Sequence, residues 1–355
     1  MPKYREATAE KVLRLICSTF ARWKTCRIHA SLVEHLLELT GGVEPALLEA
    51  VQVCDSAQFD GHNSAGAFAR APRLRSWHGF LDNEHATTWR QLTRMSVSNW
   101  VTLRSLMPVL QACHELVELR VCIKNPGHST ADAQDRVDLP CLEELILGLD
   151  HVHTLTELLT SLTVPRLLRL QIQGNNETDD GQLNVERWPV EELDGMLGRS
   201  HCKIENLALR CISMPSGEML AMAKQFSSLL ELDIRHDYAL PIILTDDLLR
   251  SMTAVREGPP PLLPQLKNLS IMGPLQLDHA VLLMMVELRT TKRFTRLHIS
   301  AMRGSKSDDM DKYTEDRIGA MVDSSFSFVF DDVLARDTFQ GIDFALLGAG
   351  LSTVW

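Results

Sequence analysis

Along most of the chain the apolar residues recur as a short figure: apolar, two residues, apolar, one residue, apolar. It appears in ALLEAVQV (Leu48, Val51, Val53), RQLTRMSV (Leu92, Met95, Val97) and HELVELRV (Leu116, Leu119, Val121). It continues in PCLEELIL (Leu142, Leu145, Leu147), PRLLRLQI (Leu167, Leu170, Ile172) and CKIENLAL (Ile204, Leu207, Leu209). The last copies are SSLLELDI (Leu229, Leu232, Ile234), PQLKNLSI (Leu266, Leu269, Ile271) and KRFTRLHI (Phe294, Leu297, Ile299), and a weaker copy, PRLRSWHG, begins at Leu74. The end of the figure alternates with period two, as one face of a strand does. A three-position match of this kind arises by chance about once in 27 residues at ordinary composition. Its surroundings therefore decide its meaning.

Proline stands two residues before the first apolar position at Pro72, Pro140, Pro165 and Pro264, and three before it at Pro45. Proline ends a helix and pushes its predecessor to extended geometry, so it suits a joint between helix and strand. Upstream of most joints lies a run with helical period: LRSLMPVLQAC, LTELLTSL, VEELDGML, MLAMAKQF, DDLLRSM and AVLLMMVEL. Apolar residues at i, i+3, i+4 and i+7 give each helix one buried face. A helix, a joint and a short strand, repeated at about 25 residues, has the period of a leucine-rich-repeat unit.

The expected fold is α/β: a leucine-rich-repeat solenoid, an irregular horseshoe with parallel strands on the concave face and helices on the convex face. Two longer intervals hold QGNNETDDGQLN and REGPPPLLP, which read as loops. The place of the turn-stabilising Asn holds Asp150, Asn175 and Asp237 but Lys124, Ile212 and Pro274 elsewhere, so the curvature is expected to be irregular. Residues 1–30 read as a helical N-terminal cap, on a stripe of Val12, Ile16, Phe20 and Trp23 within Glu6 to Cys26. Residues 31–322 read as about ten repeats, with a last helix around Tyr313 to Val322. Residues 323–355 fit no repeat and read as a cap or a poorly ordered tail.

The chain has 355 residues and a formal net charge of -10, which argues against a broad nucleic-acid footprint. MPKYREATAEK has no apolar run, so no secretory signal is expected, and no stretch is long enough to span a bilayer. The eight cysteines are spread singly and read as reduced thiols. The expected location is the cytoplasm or nucleus.

Catalytic signatures are absent: no GxSxG, no P-loop, no GxGxxG. DHVH (Asp150, His151, His153) is read as a surface turn, because a metal site needs three or more converging ligands. DDMDKYTED lacks the mid-loop Gly and final Glu of a calcium loop. The patch Arg70, Arg73, Arg75 reads as a local surface feature. No catalytic residue, metal ligand or cofactor is therefore assigned.

Several segments, taken in order, resemble the basidiomycete fungal F-box and leucine-rich-repeat proteins. They are LICSTFARWKTCRIHASLVEHLLEL, EPALLEAVQV, AFARAPRLRSW, TTWRQLTRMSV, LMPVLQACHELVELRV, VDLPCLEELIL and VPRLLRLQI, and the resemblance spans about Leu13 to Val322. It implies a horseshoe that binds a protein, joined to an F-box that docks on a Skp-type adaptor of a cullin ubiquitin ligase. The F-box itself is expected to be missing from this chain, since MPKYREATAE holds no Leu-Pro pair or hydrophobic helix.

On the repeat reading, residues flanking the inward positions form two rows on the concave face. One runs Ser96, Arg120, Ile146, Gln171, Ala208, Asp233, Ser270, His298; beside it run Arg94, Glu118, Glu144, Arg169, Asn206, Glu231, Asn268, Arg296. Such mixed polarity suits a protein-directed interface with arginine hot spots. The candidate binding residues are Arg120, Gln171, Arg210, Asp233, Arg235 and His298. The expected function is a non-enzymatic protein-interaction scaffold. The alternative is a substrate-recognition subunit of a ubiquitin ligase, should an F-box lie upstream. A hydrolytic enzyme is the remote third reading.

Overall fold

Parallel neighbours cannot be joined by a tight turn, so each strand must be followed by a crossover before the next can pair with it. The computed structural model describes residues 11–40, 43–54, 68, 71–81, 89–125, 136–174, 183–185, 187–235, 245–253, 260–273, 277–290, 294–303, 310–323 and 325–334. The fold is α/β, and among the described residues twelve strands form a parallel, open sheet ordered as they occur along the chain. The chain divides into two compact units, Met1–Leu147 with Ser161–Leu167, and Gly148–Thr160 with Leu168–Trp355. The repeat pattern in the sequence reads 31–322 as one domain.

In the first unit the sheet strands are β1 (Thr25–His29), β2 (Ala50–Cys54), β3 (Ser76–Gly79), β4 (Arg94–Val101), β5 (Glu118–Ile123) and β7 (Glu144–Leu149). The two-residue strands β6 (Val137–Asp138) and β8 (Leu162–Thr163) pair separately. Helical segments are α1 (residues 11–17), α2 (Val33–Thr40) and α3 (Leu103–Ala112). At this end the core is aromatic: Phe20, Phe68, Trp77 and Trp89 touch in sequence, with ring centroids 6.5, 6.1 and 5.4 Å apart.

The second unit takes the last two residues of β7 and all of α4 (Val152–Ser161) but its final residue. Its sheet strands are β9 (Arg169–Gly174), β11 (Asn206–Arg210), β13 (Glu231–Arg235), β14 (Asn268–Gly273), β15 (Arg296–Arg303) and β16 (Ser327–Leu334). β10 (Leu183–Asn184) and β12 (Ile212–Ser213) form a separate short pair. The helices that follow are α5 (Val190–Ser200), α6 (Ser216–Gln225), α7 (Asp246–Met252), α8 (His279–Thr290) and α9 (Lys312–Gly319). The six helical runs read from the sequence coincide with α3 to α8.

All ten copies of the apolar figure end in sheet strands, and their alternate residues are buried: Leu48, Val51 and Val53, for example, are at most 2% exposed. Each side chain of this kind contributes about 1.5–3 kcal/mol when removed from water. The main chain repeats as faithfully. The residue after the first apolar position donates its N–H to the same position one unit back. Arg75 bonds Glu49, Thr93 bonds Arg75 and Val117 bonds Thr93, while Leu230 bonds Glu205, Lys267 bonds Leu230 and Thr295 bonds Lys267.

That bond also corrects the reading of both ends. Glu49 donates to Lys24, and Ser327 donates to Thr295, so β1 and β16 are further members of the series. The expected helical cap stops short of Thr25, because Cys26 and Ile28 alternate with Thr25, Arg27 and His29 and pair in register with β2. Of the proposed stripe Phe20 is buried, whereas Val12 and Ile16 are 51% and 46% exposed. At the other end Phe328 and Phe330 pair with Leu297 and Ile299. Residues 335–355 lie outside the described part of the chain, as do Asn175, Asp237 and Pro274.

Two local devices maintain the second unit. Gly174 closes β9 where the carbonyl oxygen of Cys211 lies 2.1 Å from the place a Cβ would occupy, so no other residue fits there. Arg289 of α8 is buried, 6% exposed, and donates to the carbonyls of Met252 and Leu263 at 2.8 and 2.9 Å, and to that of Leu262. Burial alone brings its guanidinium pKa down to about 10. The side chain ties the end of α7 to the segment that leads into β14. Arg289→Met should lower the unfolding free energy by about 2–4 kcal/mol, because three carbonyls lose a charge-assisted donor. Chemical denaturation reads the loss, and an unchanged midpoint contradicts it.

Candidate protein-binding surface

Alternation that buries one residue turns the next outward, so every sheet strand offers a half-exposed row opposite its buried one. In the first unit Arg27, Gln52, His78, Ser96 and Arg120 stand side by side in register. Arg120 Nε lies 2.5 Å from Glu118, and its NH2 lies 3.6 Å from Glu144. Arg94 approaches Glu118 at 3.9 Å. Two arginines thus share Glu118, and one of them also reaches Glu144. Ile146, assigned to the same row, is buried at 8% exposure and offers no polar contact.

The register of β4 breaks after Ser96: Trp100, not Ser98, pairs with Cys122. The bulge carries Asn99, whose side-chain oxygen accepts from the N–H of Leu81 at 3.2 Å just beyond β3. The bulge thereby ends one strand with a side chain from the next.

In the second unit three rows are in register. Gln171, Ala208, Asp233, Ser270 and His298 make the first, and Arg169, Asn206, Glu231, Asn268 and Arg296 the second. Gln173, Arg210, Arg235, Met272 and Ser300 make a third, toward the strand ends. Glu231 accepts from the side-chain amides of Asn206 and Asn268 at 2.5 and 2.6 Å. Asp233 lies 3.0 Å from Arg235 Nε and 3.7 Å from Arg210 NH2, so two arginines share one carboxylate. Burial, and then the charge of Arg235, hold the Arg210 pKa below its usual value, with Asp233 acting the other way.

Of the sequence candidates, Arg210, Asp233 and Arg235 are therefore brought together, with Gln171 in register beside Ala208. His298 lies two strands from Asp233 on the same row and shares a hydrogen bond of 3.1 Å with Ser300. Arg120 belongs to the first unit. Sequence reasoning missed Arg27 and His78, although Arg27 holds an outward position between Cys26 and Ile28 and His78 follows Trp77.

The other motifs resolve into local structure. His153 pairs with Glu157 at 3.2 Å one turn along α4, and its N–H donates to His151 Nδ1. Asp311 caps α9, accepting from the N–H and hydroxyl of Thr314, and lies 2.7 Å from His279 Nδ1. Asp308 and Asp309 lie outside the described residues, as does Arg70; Arg75 pairs with Glu115 at 2.5 Å. Among the described residues no group of three or more His, Cys, Asp or Glu is placed to hold a metal ion. Burial raises the Cys26 and Cys113 thiols to about 11 and about 12, so neither is a ready nucleophile. No described helix is long and apolar enough to cross a membrane.

His78 supplies a pH test. Burial, followed by the charges of Arg120 and Arg27, lowers its pKa below the ordinary 6.5. The unfolded chain then takes up this proton at a higher pH than the folded one. Stability from His78 falls as pH drops below about 6.5 and levels off below the folded pKa. Melting curves between pH 7 and 5 should show a shallower decline for His78→Gln than for the natural protein. Equal slopes contradict the assignment.

No known family model and no curated protein sequence matches the chain.

Proposed function

We propose that the chain is a non-enzymatic protein-interaction module, built as an irregular leucine-rich-repeat solenoid whose outward strand residues receive an acidic partner. The observation that carries this reading is the charge of the strand face. The chain has a net charge of -10. Yet Arg27, Arg94 and Arg120 exceed Glu118 and Glu144 in the first unit, and Arg169, Arg210, Arg235 and Arg296 exceed Glu231 and Asp233 in the second. Arginine in a partly desolvated row is the residue type that anchors protein interfaces. The ladder bond repeated at one position of each unit supports the solenoid reading.

A second reading rests on the order of segments that resembles the fungal F-box and leucine-rich-repeat proteins. In it the same face selects substrates for a cullin-type ubiquitin ligase in the cytoplasm or nucleus, and a Skp-type adaptor binds an F-box. Co-purification of that adaptor with the full-length protein separates the two: its presence favours the ligase, its absence the free-standing module.

The first reading is tested with a photo-crosslinking residue at Ser270 on the strand face, and with one at Lys224 on α6 as the control. Crosslinks at Ser270 and none at Lys224 identify the partner. Arg120→Gln with Arg235→Gln should then weaken its binding at least tenfold while the melting temperature moves by no more than about 3 °C. Retained affinity contradicts the proposal.

A further inference from the structure

The third row of the second unit places two cationic side chains next to a small residue. Ala208 is the smallest side chain on its row, with Gln171 and Asp233 as its register neighbours and Arg210 two residues further along the same strand. A methyl group there takes up less room than the side chain on either side of it. Near it lie two buried donor atoms, Gln171 Nε2 and Arg210 Nε, and neither has a hydrogen-bond partner among the described residues. Gln171 and Arg210 stand diagonally on adjacent strands, within mutual reach of long side chains. A buried N–H without an acceptor is rare and calls for an explanation.

Charge says what the acceptor is. Arg210 and Arg235 are register neighbours and share Asp233, and Arg235 pairs with nothing else among the described residues. Glu231, the next acid on the strand, already accepts from two asparagine amides. The cluster therefore has one positive charge in excess. A single carboxylate balances it, whereas a dianionic phosphate would leave it negative.

We propose, on the strength of the strand-face reading above, that the strand face over Ala208, beside Arg210 and Arg235, receives a carboxylate side chain from an acidic segment of the partner. Arg210 and Arg235 supply the charge. Gln171 turns its amide about the terminal torsion, which is soft, to donate to the same group. Arginine suits this role because its planar fork meets a carboxylate with two parallel N–H bonds.

The test is fluorescence anisotropy of the full chain with three labelled peptides: an Asp/Glu-rich octapeptide, its Asn/Gln twin, and a twin with one central Glu replaced by phosphoserine. The acidic peptide should bind at least tenfold more tightly than the amide twin and no more weakly than the phosphorylated one. Arg235→Gln and Ala208→Leu should each weaken it at least tenfold. The first removes charge, and the second places a bulky side chain over Ala208's position without touching charge. Melting curves establish that each variant is folded, and Arg235→Gln, at a half-exposed position, serves if Ala208→Leu does not fold. Equal affinity for the acidic and amide peptides, binding of neither, or no effect of Arg235→Gln overturns the proposal. Tenfold tighter binding of the phosphorylated twin replaces carboxylate by phosphate. Failure here, with crosslinks still confined to Ser270, leaves the strand-face interface intact and removes only the carboxylate. Crosslinks at Lys224 instead remove both.

Discussion

A parallel ladder is a demanding way to build a sheet, because each strand must leave the sheet and return before its neighbour can form. The rest of the molecule follows from meeting that demand with one device used repeatedly. A strand runs out, a crossover, often a helix, carries the chain back, and the residue after the first apolar position bonds to its counterpart one unit earlier. Arg75 on Glu49 and Lys267 on Leu230 are the same bond in different units. Register is then inherited from unit to unit. A slip of one residue would turn Leu207 and Leu209 to water and Arg210 into the core, so the apolar figure and the backbone bond enforce each other.

Register has a second consequence. If every strand starts at an equivalent place, outward residues from distant parts of the sequence come to stand side by side. Arg210 and Arg235 are 25 residues apart in the chain and are register partners in the sheet. That adjacency is what gives an acidic protein a face where arginines outnumber carboxylates. Beside that pair the buried donors Gln171 Nε2 and Arg210 Nε have no hydrogen-bond partner among the described residues.

Much of this was legible in the sequence. The ten strands were marked by Leu-x-x-Leu-x-Leu figures, and six helices by their period. The outward rows followed by counting from those figures, which is why Arg210, Asp233 and Arg235 could be named beforehand. The ends were less legible, for a physical reason. β1 lacks a leucine figure, and Cys26 and Ile28 are weak signals beside a helical stripe that runs through Phe20 and Trp23. β16 uses Phe326, Phe328 and Phe330 with one residue fewer between the first two apolar positions. Because β1 went unrecognised, so did Arg27. No periodicity announces that two arginines will share a single aspartate; that depends on register and on rotamers.

The repeated ladder bond holds the strands in register, and amide hydrogen exchange followed by mass spectrometry tests it most directly. Strong protection is expected in segments 49–54, 75–79 and 117–123 of the first unit and in 205–210, 230–235, 267–273 and 295–300 of the second, because their leading amides are bonded to the preceding strand. Exchange in these segments as fast as in an unstructured peptide would contradict it.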